Sequence, residues 1–268
     1  MAGIEGAVGE LYSLEQLSTK NTAIHRLHPA VKLVTTLVLI VTMVSFPRHA
    51  FGRLAPFVFY PVFLMALAEV PYGMLFKRAM IAVPFCLFVG IANLVLERGT
   101  AFVIGGYAVT YGLLGLLTLV LRTLLCVTAV LILVATTPFP ALTAALRQAK
   151  VPTIFMMMFE MTYRYIGVLL GEASSMRRAY ALRGGGKGVA LRHAGSFVGC
   201  LLLRSIDRAE RIYAAMKCRG YAIQKSRDVE SKPTTSDGLY ALLVCGLCVL
   251  LRLVDIGAGL GAWAGGVH

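Results

Sequence analysis

Five apolar runs constrain the fold of this 268-residue chain more than any other feature of its sequence. A helix that crosses the hydrocarbon core of a bilayer needs about 20 predominantly apolar residues. Because a lipid-exposed backbone must satisfy its own hydrogen bonds, each run is predicted to be a transmembrane helix. The predicted spans are Ala30–Phe46, Phe51–Val70, Ala79–Leu96, Tyr111–Thr136 and Gly238–Asp255. With 58% hydrophobic and 15% charged residues, the chain is predicted to be an all-α integral membrane protein with about five transmembrane helices.

Lys and Arg are distributed unevenly among the segments that flank these spans. One set of flanks contains Lys20, Arg26, Lys77, Arg78, Arg147, Lys150, Lys225, Arg227 and Lys232, and the opposing flanks contain Arg48, Arg53 and Arg98. In multi-pass proteins the cytoplasmic loops carry the excess of basic residues. We therefore expect a multi-pass protein of a bacterial-type inner or plasma membrane with its N-terminus in the cytoplasm. Because five is an odd number, the C-terminus is expected outside.

A basic, helix-patterned block interrupts the membrane-embedded sequence. The predicted domains are an N-terminal membrane domain with four transmembrane helices (1–136), a cytoplasmic helical domain (137–237), and a C-terminal transmembrane helix with an external tail (238–268). Between the third and fourth spans, two β-prone tetrads surround Gly105-Gly106. This pattern is typical of a hairpin with a two-residue turn, so residues 101–110 are predicted to form a short external β-hairpin.

The cytoplasmic domain divides at its helix-breaking residues into one short and two long amphipathic helices. The predicted helices are Phe139–Lys150, Thr153–Arg183 with Thr153 as N-cap, and Val189–Arg219. Apolar or small residues recur at helical spacing on both long helices. They are Ile154, Met158, Met161, Tyr165, Leu169, Met176 and Tyr180 on the first, and Leu191, Ala194, Val198, Leu201, Ser205, Ala209, Ile212 and Met216 on the second. A helix of about 31 residues, roughly 46 Å long, needs a partner, so the two are predicted to pack together. Glu160 is placed for an ion pair with Arg164.

Both long helices end in an Arg-Gly step, at Arg183-Gly184 and Arg219-Gly220. The ordinary explanation is helix termination, because Gly is favoured just past a helix end and a cation in the last turn gains ~0.3–1 kcal/mol from the helix dipole. Two such steps on one side of the membrane also fit a docking role. An Arg at a helix tip can form bidentate hydrogen bonds with a partner's carboxylate or carbonyl groups.

Several stretches of the chain carry a family resemblance. They are Arg26–Leu33, Val134–Pro138, Met161–Ile166, Leu202–Arg211 and Ala215–Tyr221. Together they are similar to the transmembrane T component of energy-coupling-factor (ECF) ABC transporters, and more narrowly they resemble the CbiQ subfamily of cobalt importers.

This resemblance implies a non-catalytic membrane scaffold with paired cytoplasmic coupling helices. In the family these helices dock two ATP-binding-cassette ATPase subunits and pass ATP-driven motion to a separate substrate-capturing membrane subunit. By the same resemblance, Arg183, Gly184, Arg219 and Gly220 are the residues that dock the ATPase subunits. The family pattern has a small residue before each Arg-Gly step, which Cys218 matches and from which Leu182 departs. The implied substrate is cobalt, with nickel or a vitamin as the alternatives, and no cofactor is implied.

Other candidate sites are weaker. Among the scattered histidines only His25 and His28 share a helical i, i+3 spacing, which argues against a metal site in this chain. Arg122 lies well inside a predicted span and is expected either to snorkel to the interface or to pair with a polar group, for which Asn93 is a candidate.

The chain contains no nucleotide-hydrolysis, zinc-protease or serine-hydrolase motif, so no enzyme activity is predicted.

A different class, a membrane-anchored nucleic-acid-binding protein, is suggested by the 16 basic and six acidic residues between Pro138 and Lys232. The basic residues are dispersed along amphipathic helices, so nucleic acid is not the predicted partner. Co-purification separates the two hypotheses, since ATPase subunits would support coupling and salt-sensitive nucleic acid would support the alternative.

Overall fold

A computed structural model describes residues 22, 24–47, 51–96, 100–104, 107–149, 151–184, 191–221 and 234–253. The helices are α1 (Pro29–Val44), α2 (Phe51–Leu54), α3 (Phe59–Ala68), α4 (Tyr72–Met80), α5 (Val83–Leu96), α6 (Tyr111–Thr136), α7 (Phe139–Gln148), α8 (Thr153–Arg183), α9 (Leu191–Cys218) and α10 (Thr235–Leu253). A 3₁₀ turn, Ala55–Val58, joins α2 to α3, and strands β1 (Thr100–Ile104) and β2 (Tyr107–Thr110) precede α6. The chain forms two compact units. Among the described residues, the membrane unit comprises 22–138 and 234–253 and the coupling unit comprises 139–221; both are named after their predicted roles.

The prediction of an all-α membrane protein with about five spans is confirmed. Among the described residues, five helical segments are long and apolar enough to cross a bilayer: Phe51–Ala68, Tyr72–Ile91, Tyr111–Thr136, Thr153–Arg183 and Thr235–Arg252. This set differs from the predicted spans at two helices. Helix α1 has 16 residues and therefore spans only about 24 Å. Helix α8, assigned to the cytoplasm from the sequence, reaches the required hydropathy.

The third predicted span has a different start, and it contains a break of the kind that a proline inside a predicted span indicates. Residues 71–78 were predicted to be a loop, but Lys77 and Arg78 lie in the last turn of α4. The helix stops at Met80 and a new one begins at Val83. Pro84 explains the break, because a proline ring clashes with the carbonyl four residues earlier, here that of Met80. The chain therefore turns at Ile81-Ala82 before α5 continues.

Helix α6 is the central element of the membrane unit and packs against each of α1 to α5. Its buried face carries Leu125, Ala129 and Ile132. At its contact with α5, a Cβ added to Gly90 would lie 2.9 Å from Leu116 Cγ, so the missing side chain allows close approach of the two helices. Helix α10 packs on α1, which joins the last span to the first.

The hairpin region contains an antiparallel pair of strands in which Ile104 lies opposite Tyr107. Gly105 and Gly106 lie outside the described residues. The external position of this hairpin and the three-domain division remain predictions.

The coupling unit contains the predicted short helix and two long helices with small changes at their ends. Helix α7 stops at Gln148 rather than at Lys150, and α9 runs from Leu191 to Cys218. Residues 189 and 190 lie outside the described residues. Thr153 is the first helical residue rather than the N-cap, because Pro152 occupies the cap position. The stacked rings of Phe139 and Tyr163, 4.3 Å between centroids, join α7 to α8.

Candidate functional site

The Arg219-Gly220 step ends α9 in a Schellman motif. The N–H of Tyr221 donates to the carbonyl of Met216 (3.0 Å), and the N–H of Gly220 donates to that of Lys217 (2.9 Å). Gly220 has φ +66°, a left-handed conformation that glycine adopts without a Cβ clash. The motif fixes where the helix ends and leaves the side chain of Arg219 exposed at the tip.

The Arg183-Gly184 step ends α8 by a different local structure. Gly184 has φ −98° and donates its N–H to the carbonyl of Tyr180 at 2.9 Å, so the helical bonding pattern simply continues through it. Leu182, which departs from the family pattern, is 86% exposed. Arg183 is also exposed. The two Arg-Gly steps therefore share exposure of the arginine but differ in backbone geometry.

Helices α8 and α9 form an antiparallel pair held by polar side chains. Near the start of α9, His193 Nδ1 lies 2.9 Å from the hydroxyl of Tyr180. Further along, the carboxylate of Glu172 accepts hydrogen bonds from Arg204 (3.3 Å) and Arg208 (2.6 Å). The bond to Glu172 raises the pKa of Arg204, which keeps this guanidinium charged.

One consequence of this antiparallel arrangement is that the two Arg-Gly steps lie at opposite ends of the helix pair. Arg183 ends α8 near the start of α9, whereas Tyr221, just past Arg219, lines a groove together with Ile154 near the start of α8. Since α8 has 31 residues, the two ends are separated by roughly 45 Å along its axis.

Toward the Arg219 end the two long helices leave an apolar groove between them, the coupling groove, of about 590 Å³. It is lined by the first half of the predicted α8 face and the second half of the predicted α9 stripe: Ile154, Met158, Met161, Tyr165 and Leu169 on α8, and Ser205, Ala209, Ile212 and Met216 on α9. The predicted faces did not include five other residues that line it, Met157, Arg208, Tyr213, Lys217 and Tyr221. Val198, placed on the stripe, is 61% exposed.

The predicted ion pair between Glu160 and Arg164 on α8 is wrong, because Glu160 pairs with a different arginine. The carboxylate of Glu160 accepts from Arg147 on α7 at 2.9 Å, rather than from Arg164. The i, i+4 rule considers one helix alone. A residue brought close by the α7–α8 turn competes for the same carboxylate, and a single-helix pattern does not contain that information.

A buried polar junction in the membrane unit was not predicted. Lys32, 4% exposed, donates from Nζ to the carbonyls of Thr136 (3.0 Å) and His25 (3.3 Å). Asp237 is 5% exposed and accepts from the backbone N–H groups of His28 (2.8 Å) and Thr234 (2.7 Å). A lysine within an apolar run is the sequence signal that would have found this junction.

Arg122 donates hydrogen bonds to backbone carbonyl groups, and the side chain of Asn93 lies outside the described part of the chain. One of its terminal nitrogens donates to the carbonyl oxygens of Phe46 (2.8 Å) and Pro47 (3.1 Å), just after the end of α1. These hydrogen bonds place a cation at a helix C-terminus, where the helix dipole favours positive charge. These hydrogen bonds agree with the expectation that Arg122 pairs with polar groups.

Within the described residues, no group of three or more His, Cys, Asp or Glu side chains is close enough to hold a metal ion. His25 Nδ1 lies 2.7 Å from the hydroxyl of Thr22, and His28 Nδ1 accepts from the N–H of Ala30 at the start of α1. Both histidines thus contribute to local structure at the beginning of the membrane unit.

Comparison with known proteins gives a consistent result. An uncharacterised protein of Methanocaldococcus jannaschii is 27% identical over 207 residues, which cover 72% of this chain and 70% of the relative. The cobalt transport protein CbiQ of Rhodobacter capsulatus is 30% identical over 129 residues, 47% of this chain and 50% of that protein. CbiQ of Salmonella typhimurium is 30% identical over 102 residues, 37% and 45% respectively. The family model described as cobalt transport protein, CbiQ, matches residues 20–229. Since that match covers most of its length, the chain belongs to the CbiQ family of cobalt transport proteins.

Proposed function

We propose that this chain is the membrane scaffold subunit of an ATP-driven ECF-type importer of a divalent transition metal, with cobalt as the substrate. The observation that carries the proposal is the pair of exposed arginines at opposite ends of the antiparallel α8–α9 pair. Two tips roughly 45 Å apart suit two separate soluble subunits better than one small ligand. The family membership supports the transport role.

In this proposal each arginine enters a groove of one ATPase subunit. A guanidinium can donate two parallel hydrogen bonds to a carboxylate or to exposed carbonyl groups, which gives both affinity and orientation. The motion that follows ATP binding then reaches α8 and α9 as a pair, because Glu172 bonds Arg204 and Arg208 across them. Catalysis of ATP hydrolysis belongs to the partner subunits.

The coupling groove supports contact with a further, substrate-capturing membrane subunit. Its lining is apolar and rich in methionine, with Met157, Met158, Met161 and Met216. Methionine side chains adapt to irregular partners because they are unbranched and flexible. In this proposal the N-terminus and the coupling unit are cytoplasmic, as the distribution of Lys and Arg predicts.

Charge reversal of the two arginines tests the docking role. We expect Arg219→Glu to weaken retention of the ATPase subunits at least tenfold, since a hydrogen bond to a charged group contributes about 1.5–3 kcal/mol. We expect Arg183→Glu to have a smaller effect and the double variant to lose both subunits and all uptake. The measurement is co-purification from membranes together with uptake of radioactive cobalt in the assembled complex.

Arg211→Glu is the matched control, because Arg211 is exposed on α9 but lies away from its tip. It changes the charge equally and should retain the ATPase subunits. A double variant that kept both ATPase subunits and transported cobalt normally would show that the proposal is wrong. Competition with nickel or a vitamin in the same uptake assay distinguishes the alternative substrates.

A further inference from the structure

A second groove, the lateral groove, lies within the membrane unit between α3 and α10 and has a volume of about 1170 Å³. That volume exceeds the roughly 300–1,000 Å³ of pockets that hold drug-sized ligands. Its walls include Phe59 and Phe63 on α3 and Leu243 and Leu247 on α10. Phe59 is 78% and Phe63 63% exposed, so within this chain the groove is open and apolar.

The length of the groove matches one leaflet of a bilayer. On one side the apolar wall runs from Pro56 to Leu67 and on the other from Tyr240 to Leu251. Each wall advances eleven helical steps, about 16 Å. This is close to half of the ~30 Å hydrocarbon core, whereas a transmembrane helix of a partner would need a surface running through the whole core.

One end of the groove is polar and carries an exposed positive charge. Arg26, Thr234, Ser236 and Asp237 line this end. Asp237 is buried and accepts hydrogen bonds from two backbone N–H groups, whereas Arg26 is exposed. Of the charged groups that line the groove, Arg26 is therefore the one available to a ligand. A guanidinium is well suited to bind a phosphate with two parallel hydrogen bonds.

We infer that the lateral groove binds one anionic phospholipid, with its acyl chains between α3 and α10 and its phosphate at Arg26. A leaflet-long apolar channel that ends at an exposed cation is complementary to such a lipid in both length and charge. The inference depends on the membrane embedding of the chain and is independent of ATPase docking. The basic flank that contains Arg26 is also on the predicted cytoplasmic side, where anionic lipids give the membrane surface a negative potential.

Native mass spectrometry of the full chain tests this inference. The protein is purified in detergent containing equal amounts of phosphatidylglycerol and phosphatidylcholine, and retained lipid is counted. We expect about one phospholipid per chain, with phosphatidylglycerol preferred. Arg26→Glu should lower that preference about fivefold or more, because one basic residue near a membrane surface contributes about 1 kcal/mol. Leu247→Trp places an indole in the path of the acyl chains and should lower retention clearly.

Two matched controls accompany these variants. Lys77→Glu reverses an exposed charge on α4 away from the groove, and Leu242→Trp places the same indole on the 72% exposed face of α10. Both should retain lipid as the wild type does. Equal retention of the two lipids by wild type, or unchanged retention by Leu247→Trp, would overturn the inference. Disulfide or maleimide cross-linking of Leu247→Cys to a partner membrane subunit, with no lipid retained, would instead identify the groove as a protein interface.

Discussion

At the scale of single residues, the two predicted docking steps are chemically alike but conformationally different. Gly220 occupies a left-handed position with φ +66°, whereas Gly184 has φ −98° and lies in a region open to other residues. The sequence predicted unequal docking because Leu182 breaks the family pattern. The backbone supplies a second, independent difference. A glycine after a helix looks the same in sequence whether its φ is positive or negative, so this difference was not predictable.

Substitution of these glycines by alanine tests the difference. Gly220→Ala forces a Cβ into the left-handed region, at a cost of about 1–2 kcal/mol. We expect thermal unfolding to shift down by roughly 2–4 °C per kcal/mol and the retention of ATPase subunits to fall. Gly184→Ala is the control, since its φ is permitted for alanine; its added Cβ would lie 3.3 Å from the carbonyl oxygen of Tyr180, a tight contact that requires only a small shift. Equal losses in both variants would contradict the conformational explanation.

At the scale of helices and strands, the buried junction at the start of α1 joins three elements. Lys32 lies on α1 and bonds the carbonyl of Thr136, the last residue of α6. Asp237, in the first turn of α10, bonds the N–H of His28 and interacts electrostatically with Lys32. Thr136 precedes the chain's entry into the coupling unit, and Asp237 follows its return. The junction therefore holds both of the helix ends at which the chain changes unit.

Lys32→Met removes the cation but keeps an apolar side chain of similar length. The variant leaves the carbonyls of Thr136 and His25 without their lysine donor and removes the buried positive charge near Asp237. Leaving a hydrogen-bonding group unsatisfied in a buried site costs about 1–3 kcal/mol, so we expect the midpoint of thermal unfolding in detergent to fall by several degrees. Lys77→Met, at an exposed position on α4, should change it little.

A double variant separates the electrostatic contribution from packing. If Lys32 and Asp237 stabilise each other, the loss in Lys32→Met with Asp237→Asn should be smaller than the sum of the two single losses. Additive losses, or a Lys32→Met protein as stable as the wild type, would show that the junction contributes little to the membrane unit.

The sequence predicted those elements that depend on local properties of the chain, and it did not predict contacts that depend on helix packing. The long runs of α6, α8 and α10 were predictable because hydropathy and helical spacing are local properties. The break at Ile81-Ala82 is also a local effect, because the ring of Pro84 clashes with the carbonyl of Met80. The partner of Glu160 and the junction at Lys32 depend on which helices pack together, and a single sequence does not show that.

At the scale of the whole molecule, the assignment of α8 to the membrane or to the cytoplasm decides the topology. Its first eighteen residues contain only Glu160 and Arg164 as charged side chains, which explains its span-like hydropathy. Its second half carries Glu172, Arg177, Arg178 and Arg183, and Glu172 bonds two arginines of α9. An ion-paired helix with one groove-lining face is typical of a soluble helix pair. Five spans with α1 included and α8 excluded therefore remain the predicted topology.

Cysteine accessibility distinguishes the two topologies, because α8 is about 46 Å long and its ends would emerge on opposite sides if it crossed the bilayer. In a background without native cysteines, Phe155→Cys and Leu182→Cys introduce exposed thiols near the two ends of α8; the native side chains are 52% and 86% exposed. We expect a membrane-impermeant maleimide to label both in inside-out vesicles and neither in right-side-out vesicles. Labelling of the two thiols from opposite sides would show that α8 spans the membrane. In that case Arg183 would emerge outside and could not dock a cytoplasmic subunit. Arg219 would lie outside with it, because α9, with Arg192, Arg204, Asp207, Arg208, Glu210 and Arg211, is too highly charged to cross back.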